Sequence, residues 1–207
     1  MKGKERSKKD HIMGKIKSAL ELALEKTADL KTDKKAVKKN MMNREGKVSV
    51  STFLENPKKS EFIDKMKFYK DEELGWFKNG AMDTILANIT LPRLESDSNK
   101  LIPLNAALAI VSGDKEETDS MFEQLKQLFS QYLSNLDQLE ASMKQQYEPQ
   151  LRQKEQQLSQ QSGQEVHLTP EQDPEFLKVL SEQISRMDQQ YQDVLKQAKD
   201  QIRKGLI

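Results

Sequence analysis

The stretch TDSMFEQLKQLFSQYLSNLDQLEASM, residues 118–143, sets Phe122, Leu125, Phe129, Tyr132, Leu136, Leu139 and Met143 at alternating steps of three and four. Steps of that kind keep side chains on one stripe of a helix, and a stripe this long predicts a coiled-coil-like seam. Asp114, with Glu116 and Glu117 behind it, supplies the helix start. The row then stretches through Tyr147, Leu151 and Leu158 around Pro149. A proline inside a helix removes a donor and crowds the carbonyl one turn back, so a kink or break is predicted at 145–149.

Beyond QQSGQEVHLTPEQDPEF, residues 160–176, a second row begins at Leu180 and runs through Ile184, Met187, Tyr191, Val194, Ala198 and Ile202. Two rows joined by a short turn bury each other most simply as an antiparallel helical hairpin, residues 114–207 with the tip at 162–174. If Ser162 and Pro174 are the facing ends, paired positions sum to about 336. That register seats Tyr191 between Met143 and Tyr147, Ala198 beside Leu139 and Ile202 near Leu136, with Tyr191 and Ala198 buried and Lys199 on the solvated face. Met121, Phe122, Leu125 and Leu128 are then left without a partner in the hairpin and should dock on whatever precedes it. A two-helix seam is thin against the backbone entropy of ordering it, so it needs a globular base or another protein.

Residues 48–113 supply that base. Asn56-Pro57 closes the short helical run VSVSTFLE, and Phe62, Ile63, Met66 and Tyr69 share one side of the next piece. Asp71, with Glu72 and Glu73, is placed to cap a helix carrying Leu74, Phe77, Ala81, Ile85 and Ile89 until Leu91-Pro92 stops it. RLESDSNK reads as a surface loop. LIPLNAALAIVSGD is the most apolar stretch, with Pro103 suited to a first turn and Ser112-Gly113 to an end. Phe53, Phe62, Phe68, Tyr69, Trp76 and Phe77 all fall in this region, and aromatics at helical spacing are read as core.

Upstream the text thins out. Residues 1–13, MKGKERSKKDHIM, have no apolar periodicity and read as a disordered basic leader, with either Met1 or Met13 as the start. Residues 14–47 read as one short amphipathic helix, with Ile16, Leu20, Ala23, Leu24 and Thr27 on its face, followed by a Lys-rich linker or loosely held helix. The fold class is therefore all-α: a small helical globular base plus a long kinked antiparallel hairpin and a basic N-terminal arm.

Composition agrees. Hydrophobic residues make 35% of the 207 and charged residues 32%, while 8 Gly and 6 Pro are too few for the turns of a β protein. No apolar run is long enough to span a bilayer and no signal-peptide pattern follows the basic start, so a cytoplasmic location is expected. With 0 Cys and 2 His, thiol nucleophiles, disulfides and His- or Cys-based metal sites are excluded. His11 lies in the leader, and His167, alone between Val166 and Leu168 at the tip, reads as a surface histidine. Glu72 with Glu73 and Glu116 with Glu117 read as helix-dipole partners rather than acid/base pairs. No catalytic residue, cofactor or metal ligand is expected.

The net charge of +1 hides a polarity. Residues 1–48 carry 15 Lys and Arg against 7 Asp and Glu, whereas residues 81–207 carry 13 against 20. Lys31, Lys34, Lys35, Lys38, Lys39, Arg44 and Lys47 are the candidate contacts to phosphates or to an acidic partner. The simpler reading is a solvated arm that folds back on the acidic half of its own chain, because the stretch lacks the aromatic or Gly interleaving of single-strand binders.

SALELALEKTADLK, LGWFKNGAMDTILANITLP and YEPQLRQKEQQLSQQSGQEVHLTPEQDPEF resemble an uncharacterised bacterial, spirochaete-type family of helical proteins over about residues 14–204. That resemblance implies no activity, cofactor or site residue. Locally, Gly163, Val166, Leu168, Asp173 and Pro174 are similar to a G-x-x-V-x-L…D-P segment in the delta subunit of rotary ATP synthases, although the Gly-Gly-apolar strand expected next is replaced by helix. The expected function is a non-enzymatic adaptor or scaffold binding another protein, with a homodimer through the seams as one form of it. The alternative is an RNA- or ribosome-associated protein using the basic arm.

Overall fold

The structure, a computed structural model, describes the backbone of residues 19–206 and the side chains of residues 34–205 apart from Lys59. The leader, with His11, and Ile16 at the head of the expected amphipathic helix lie outside the described residues. The chain is all-α. Six α-helices follow one another among the described residues: α1 Ala19–Glu55, α2 Phe62–Phe68, α3 Asp71–Asn88, α4 Leu101–Ser112, α5 Lys115–Ser162 and α6 Pro174–Leu206. Three 3-10 turns, Pro57–Lys59, Glu95–Lys100 and Pro170–Gln172, link them.

Of the two forms expected for the Lys-rich stretch, linker or helix, the helix is found: it is the middle of α1, an unbroken helix of 37 residues that carries the chain across the 47/48 boundary. What holds it is α3, which runs parallel to it at backbone contact. A Cβ on Gly46 would lie 2.1 Å from the Phe77 carbonyl oxygen, and one on Gly80 would lie 1.9 Å from that of Asn43. Two helix-interior glycines each give up helix propensity so that the two backbones can touch. Further along the same contact Lys47 Nζ lies 3.3 Å from Asp83 Oδ2, and Arg203 Nη2 of α6 donates to Asp83 Oδ1 at 2.6 Å. One carboxylate thus ties α1, α3 and α6 together, and these cations hold its pKa below the usual range although burial opposes them.

The core is larger than the 48–113 unit. Val50, Phe53, Phe62, Phe77, Ile85, Leu101, Leu104, Leu108 and Val111 share one cluster with Phe122, Leu125 and Phe129 of α5 and Leu195 and Ile202 of α6. The expected docking of Phe122 and Leu125 on the base is found, and α6 is packed there too. Turn chemistry is as expected where Gly113 closes α4 at φ 83 and Asp114 accepts from the Glu117 N–H, and Pro170 and Pro174 open their elements. RLESDSNK is not an open loop, because its last six residues form the turn Glu95–Lys100, braced by Asp97 accepting from the Arg93 and Leu94 N–H groups.

α5 is 48 residues long, about 72 Å at the usual rise, and is unbroken at Pro149. Tyr147 and Leu151, flanking that proline, are buried with Phe176 in a second, smaller cluster that holds the helix in place. The register is the largest correction. Tyr132 donates to Asp188 at 2.8 Å and Asn135 to Tyr191 at 2.7 Å, pairs that sum to 320 and 326. α6 is therefore displaced by about a dozen residues, some three turns, from the register of 336.

The reason lies in residues 163–173. They do not turn tightly from one helix to the next but run back along α5, Val166 N–H donating to Ser159 Oγ and Leu168 N–H to Glu155 Oε1. The last turns of α5 are thus covered by this return segment, and α6 begins opposite Tyr147. Tyr191 consequently meets Tyr132, with ring centroids 5.1 Å apart, and Ala198 lines a groove with Leu125 and Leu128. Both are half-buried rather than buried, and Lys199 is half-buried too, its pKa lowered by desolvation. The inner row also steps from Tyr191 to Leu195, 1% exposed, while Val194 is 47% exposed. A straight helix drifts off a strict heptad, and one step of four in place of three follows that drift.

Candidate functional site

Because α1 and α3 are parallel and offset by about one α2 excursion, the lysines of α1 come to face the first turn of α3. Lys35 Nζ lies 2.7 Å from Glu72, Lys38 pairs with Glu73, and Lys47 pairs with Asp83. Three lysines of the arm pair with acids of their own chain, but Glu72 and Glu73 lie outside the acidic half, residues 81–207, that the arm was expected to meet, and only Asp83 lies within it. Lys39 and Arg44 are exposed on other faces of α1, and the Lys31 side chain lies outside those described. The candidate cations are therefore dispersed around one helix, with three of them committed to internal pairs.

Where α1 passes the α2–α3 joint, an open cleft of about 620 Å³ forms. Lys34, Lys35 and Lys38 of α1 line it together with Phe68 and Tyr69 from the α2–α3 joint and Asp71, Glu72 and Trp76 of α3. Lys35 Nζ lies 5.8 Å from the centre of the Trp76 ring, within cation–π range. Tyr69 packs edge-on against Phe68 at 5.3 Å and reaches Phe77 in the core at the same distance. The linear sequence separates these aromatics from the lysines by some thirty residues, and only the parallel pairing of α1 and α3 interleaves them. No local signal could have found that, although Gly46 and Gly80 inside helical patterns were the available hint of a close approach.

Two details of the cleft depart from the expected core. Phe68 is 76% exposed, while Phe62, one α2 length earlier, is fully buried. Burying a Phe is worth roughly 1.5–3 kcal/mol, and the fold leaves that gain unused at the mouth of the cleft. Asp71 is not the cap of α3 but its first helical residue, at φ 47, with Lys70 in the cap position. A left-handed non-glycine residue carries strain of about 1 kcal/mol or more, and Asp tolerates it better than most.

The titratable groups at the cleft do not converge on a reaction. Burial and the neighbouring Glu45 carboxylate push the Tyr69 phenol up to about 12, so it stays protonated and is a poor base at neutral pH. Glu72 and Glu73 face ammonium groups, as expected of dipole partners at a helix start. His167 is an exposed side chain at the tip, beside Glu155 and Glu165. No cluster of three or more His, Cys, Asp or Glu able to hold a metal occurs among the described residues, nor any helix long and apolar enough to cross a membrane.

No curated protein and no solved structure matches this chain. Residues 63–204 match a family model described as Family of unknown function (DUF6657), a span that takes in Phe68, Tyr69 and Trp76 but not the lysines of α1. Covering more than half of the chain, the match shows that this protein belongs to that family of unknown function.

Proposed function

We propose that the protein is a non-enzymatic adaptor of a bacterial, spirochaete-type cytoplasm, whose helical base presents the cleft between α1 and the α2–α3 joint to another protein. The observation that carries this reading is Phe68, exposed beside Tyr69 and Trp76 instead of turned into the core that takes Phe62 and Phe77. An aromatic held at the surface by a rigid scaffold is what a partner's apolar side chain needs, since it loses little freedom on binding. The upward shift of Tyr69 and the internal pairing of Lys35 and Lys38 support binding over catalysis, and the same pairing leaves few cations for a run of phosphates.

The test uses the full chain. Proteins retained from native lysate by the wild type should be lost with Phe68→Ser, whose far-UV circular dichroism should be unchanged because the side chain is already in water. Identical retention by the two forms overturns the cleft as the docking site. A turnover that follows the purified protein and disappears with one side-chain change overturns the non-enzymatic reading.

A further inference from the structure

The geometry points to an acidic peptide segment with one aromatic or large aliphatic anchor as the occupant of the cleft: the anchor lies on Phe68 between Tyr69 and Trp76, and the segment's carboxylates meet Lys34 and Lys70. This rests on the reading of the cleft as a protein-docking site and adds the chemistry of the partner.

Charge decides the sign. The cleft is lined by four lysines, Lys34, Lys35, Lys38 and Lys70, against three carboxylates, Asp71, Glu72 and Glu73. Lys35 and Lys38 are spent on Glu72 and Glu73, whereas Lys34 and Lys70 have no ion-pair partner among the described residues. The ring of Trp76 already carries Lys35, so a cationic ligand would have to compete with that ammonium there. Lys39 and Arg44 lie on other faces of α1, so the charge the cleft leaves open to an approaching segment is that of Lys34 and Lys70 against Asp71.

Shape decides the class. The Phe68 ring is presented edge to face with Tyr69, a surface on which an aromatic or branched aliphatic group stacks. A volume of about 620 Å³ takes a few residues of a peptide and is at the scale of a small-ligand site. A polynucleotide would need cations spaced along its backbone, and here Asp71 sits among them with its carboxylate exposed.

Trp76 is the sole tryptophan of the chain and lines the cleft, so its emission reports occupancy without a label. The full chain is titrated with the peptide Ac-Asp-Phe-Glu-Leu-Asp-amide, with its counterpart Ac-Lys-Phe-Lys-Leu-Lys-amide, and with a twelve-residue oligouridylate, none of which contains tryptophan. The acidic peptide should shift Trp76 emission saturably, with affinity falling as salt rises. It should weaken roughly tenfold in Phe68→Ser and in the doubly reversed Lys34→Glu, Lys70→Glu chain, a loss of about 1.4 kcal/mol in either case. The lysine peptide should give no saturable change. Equal responses to the two peptides, tighter binding of the oligouridylate, or acidic binding that survives both variants overturns the proposal. If the acidic peptide fails while Phe68→Ser still loses its lysate partners, the partner's chemistry falls and the adaptor reading stands. If the peptide binds while lysate retention is unaffected, the reverse holds.

Discussion

The base and the tip of this molecule solve the same problem with different means. In the base, six helices converge on large side chains such as Phe77, Ile85, Leu108 and Phe122, each no more than 1% exposed. At the tip only Tyr147, Leu151 and Phe176 are buried, with Met143, Leu168 and Leu180 partly so. There the helices are fixed instead by polar bonds around Asp173, which is 7% exposed. Its Oδ2 accepts from Tyr147 Oη at 2.8 Å and from Lys154 Nζ at 2.6 Å, while Oδ1 accepts from the Glu175 N–H at 2.9 Å. Lys154 also reaches Glu175 at 2.7 Å and the Tyr147 hydroxyl at 2.9 Å, so all three of its protons are used. Where apolar side chains are plentiful, packing determines position and the ion pairs of Asp83 add to it. Where they are scarce, a saturated polar cluster supplies the missing specificity.

The comparison can be broken most forcefully at the α1–α3 contact. Gly80→Ala sets a methyl group against backbone that has nowhere to move, and about 3 kcal/mol or more of stability should be lost, read by urea unfolding. Gly75→Ala, five residues away in the same helix with open space at its Cβ, should instead gain about 0.5–1 kcal/mol. Equal effects at the two glycines would show that the helices are not in backbone contact.

Of comparable size are matched truncations of the two clusters. Phe77→Ala and Phe176→Ala remove the same ring from fully buried positions, each costing roughly 3–5 kcal/mol where it acts. The first should lower protection from hydrogen exchange throughout the chain. The second should release only residues near 145–180, with α3 and α4 keeping their protection. A uniform loss in both variants would mean that base and tip are one cooperative unit.

The smallest effect is one of pH. Lys154, ahead of the Tyr147 hydroxyl and the Glu175 N–H, holds Asp173 at about 2 against an ordinary 3.8, with burial opposing. A carboxyl more acidic in the folded state stabilises it fully above its unfolded pKa and loses that contribution as pH falls through the folded one. Near-ultraviolet circular dichroism of Tyr147 should therefore hold steady down to about pH 4 and change between about 4 and 2. In Lys154→Met, which leaves the Asp173 carboxylate without its cation, the tip should already be loosened at neutral pH. An acid transition identical in the two proteins would remove Asp173 from the account.

How much of this was legible follows from the range over which each signal acts. The row from Phe122 to Tyr132, the caps at Gly113 and Asp114, and the starts at Pro170 and Pro174 are local and were readable from spacing and residue type. The register of α6 was not, because it depends on whether residues 163–173 turn or run back, and Ser159 and Glu155, which catch them, look like any polar helix residues. The same holds for α1. Its lysines suggest an arm when read alone, and come to line a cleft only because Gly46 and Gly80 let α3 lie alongside. Phe68 reads as core by type, and nothing in α2 itself says that the ring faces water.

Surface loops ordinarily drift in length without consequence. The segment that returns along α5 has no such latitude between Val166 and Asp173, since both ends of it are anchored to fixed points on that helix. One residue of extended chain advances about 3.3 Å, the distance two helical residues cover. Adding or removing a residue there would slide all 33 residues of α6 and carry Arg203 away from Asp83, about 45 Å distant along the helix. The spacer behaves as a ruler whose length is read at the opposite end of the molecule.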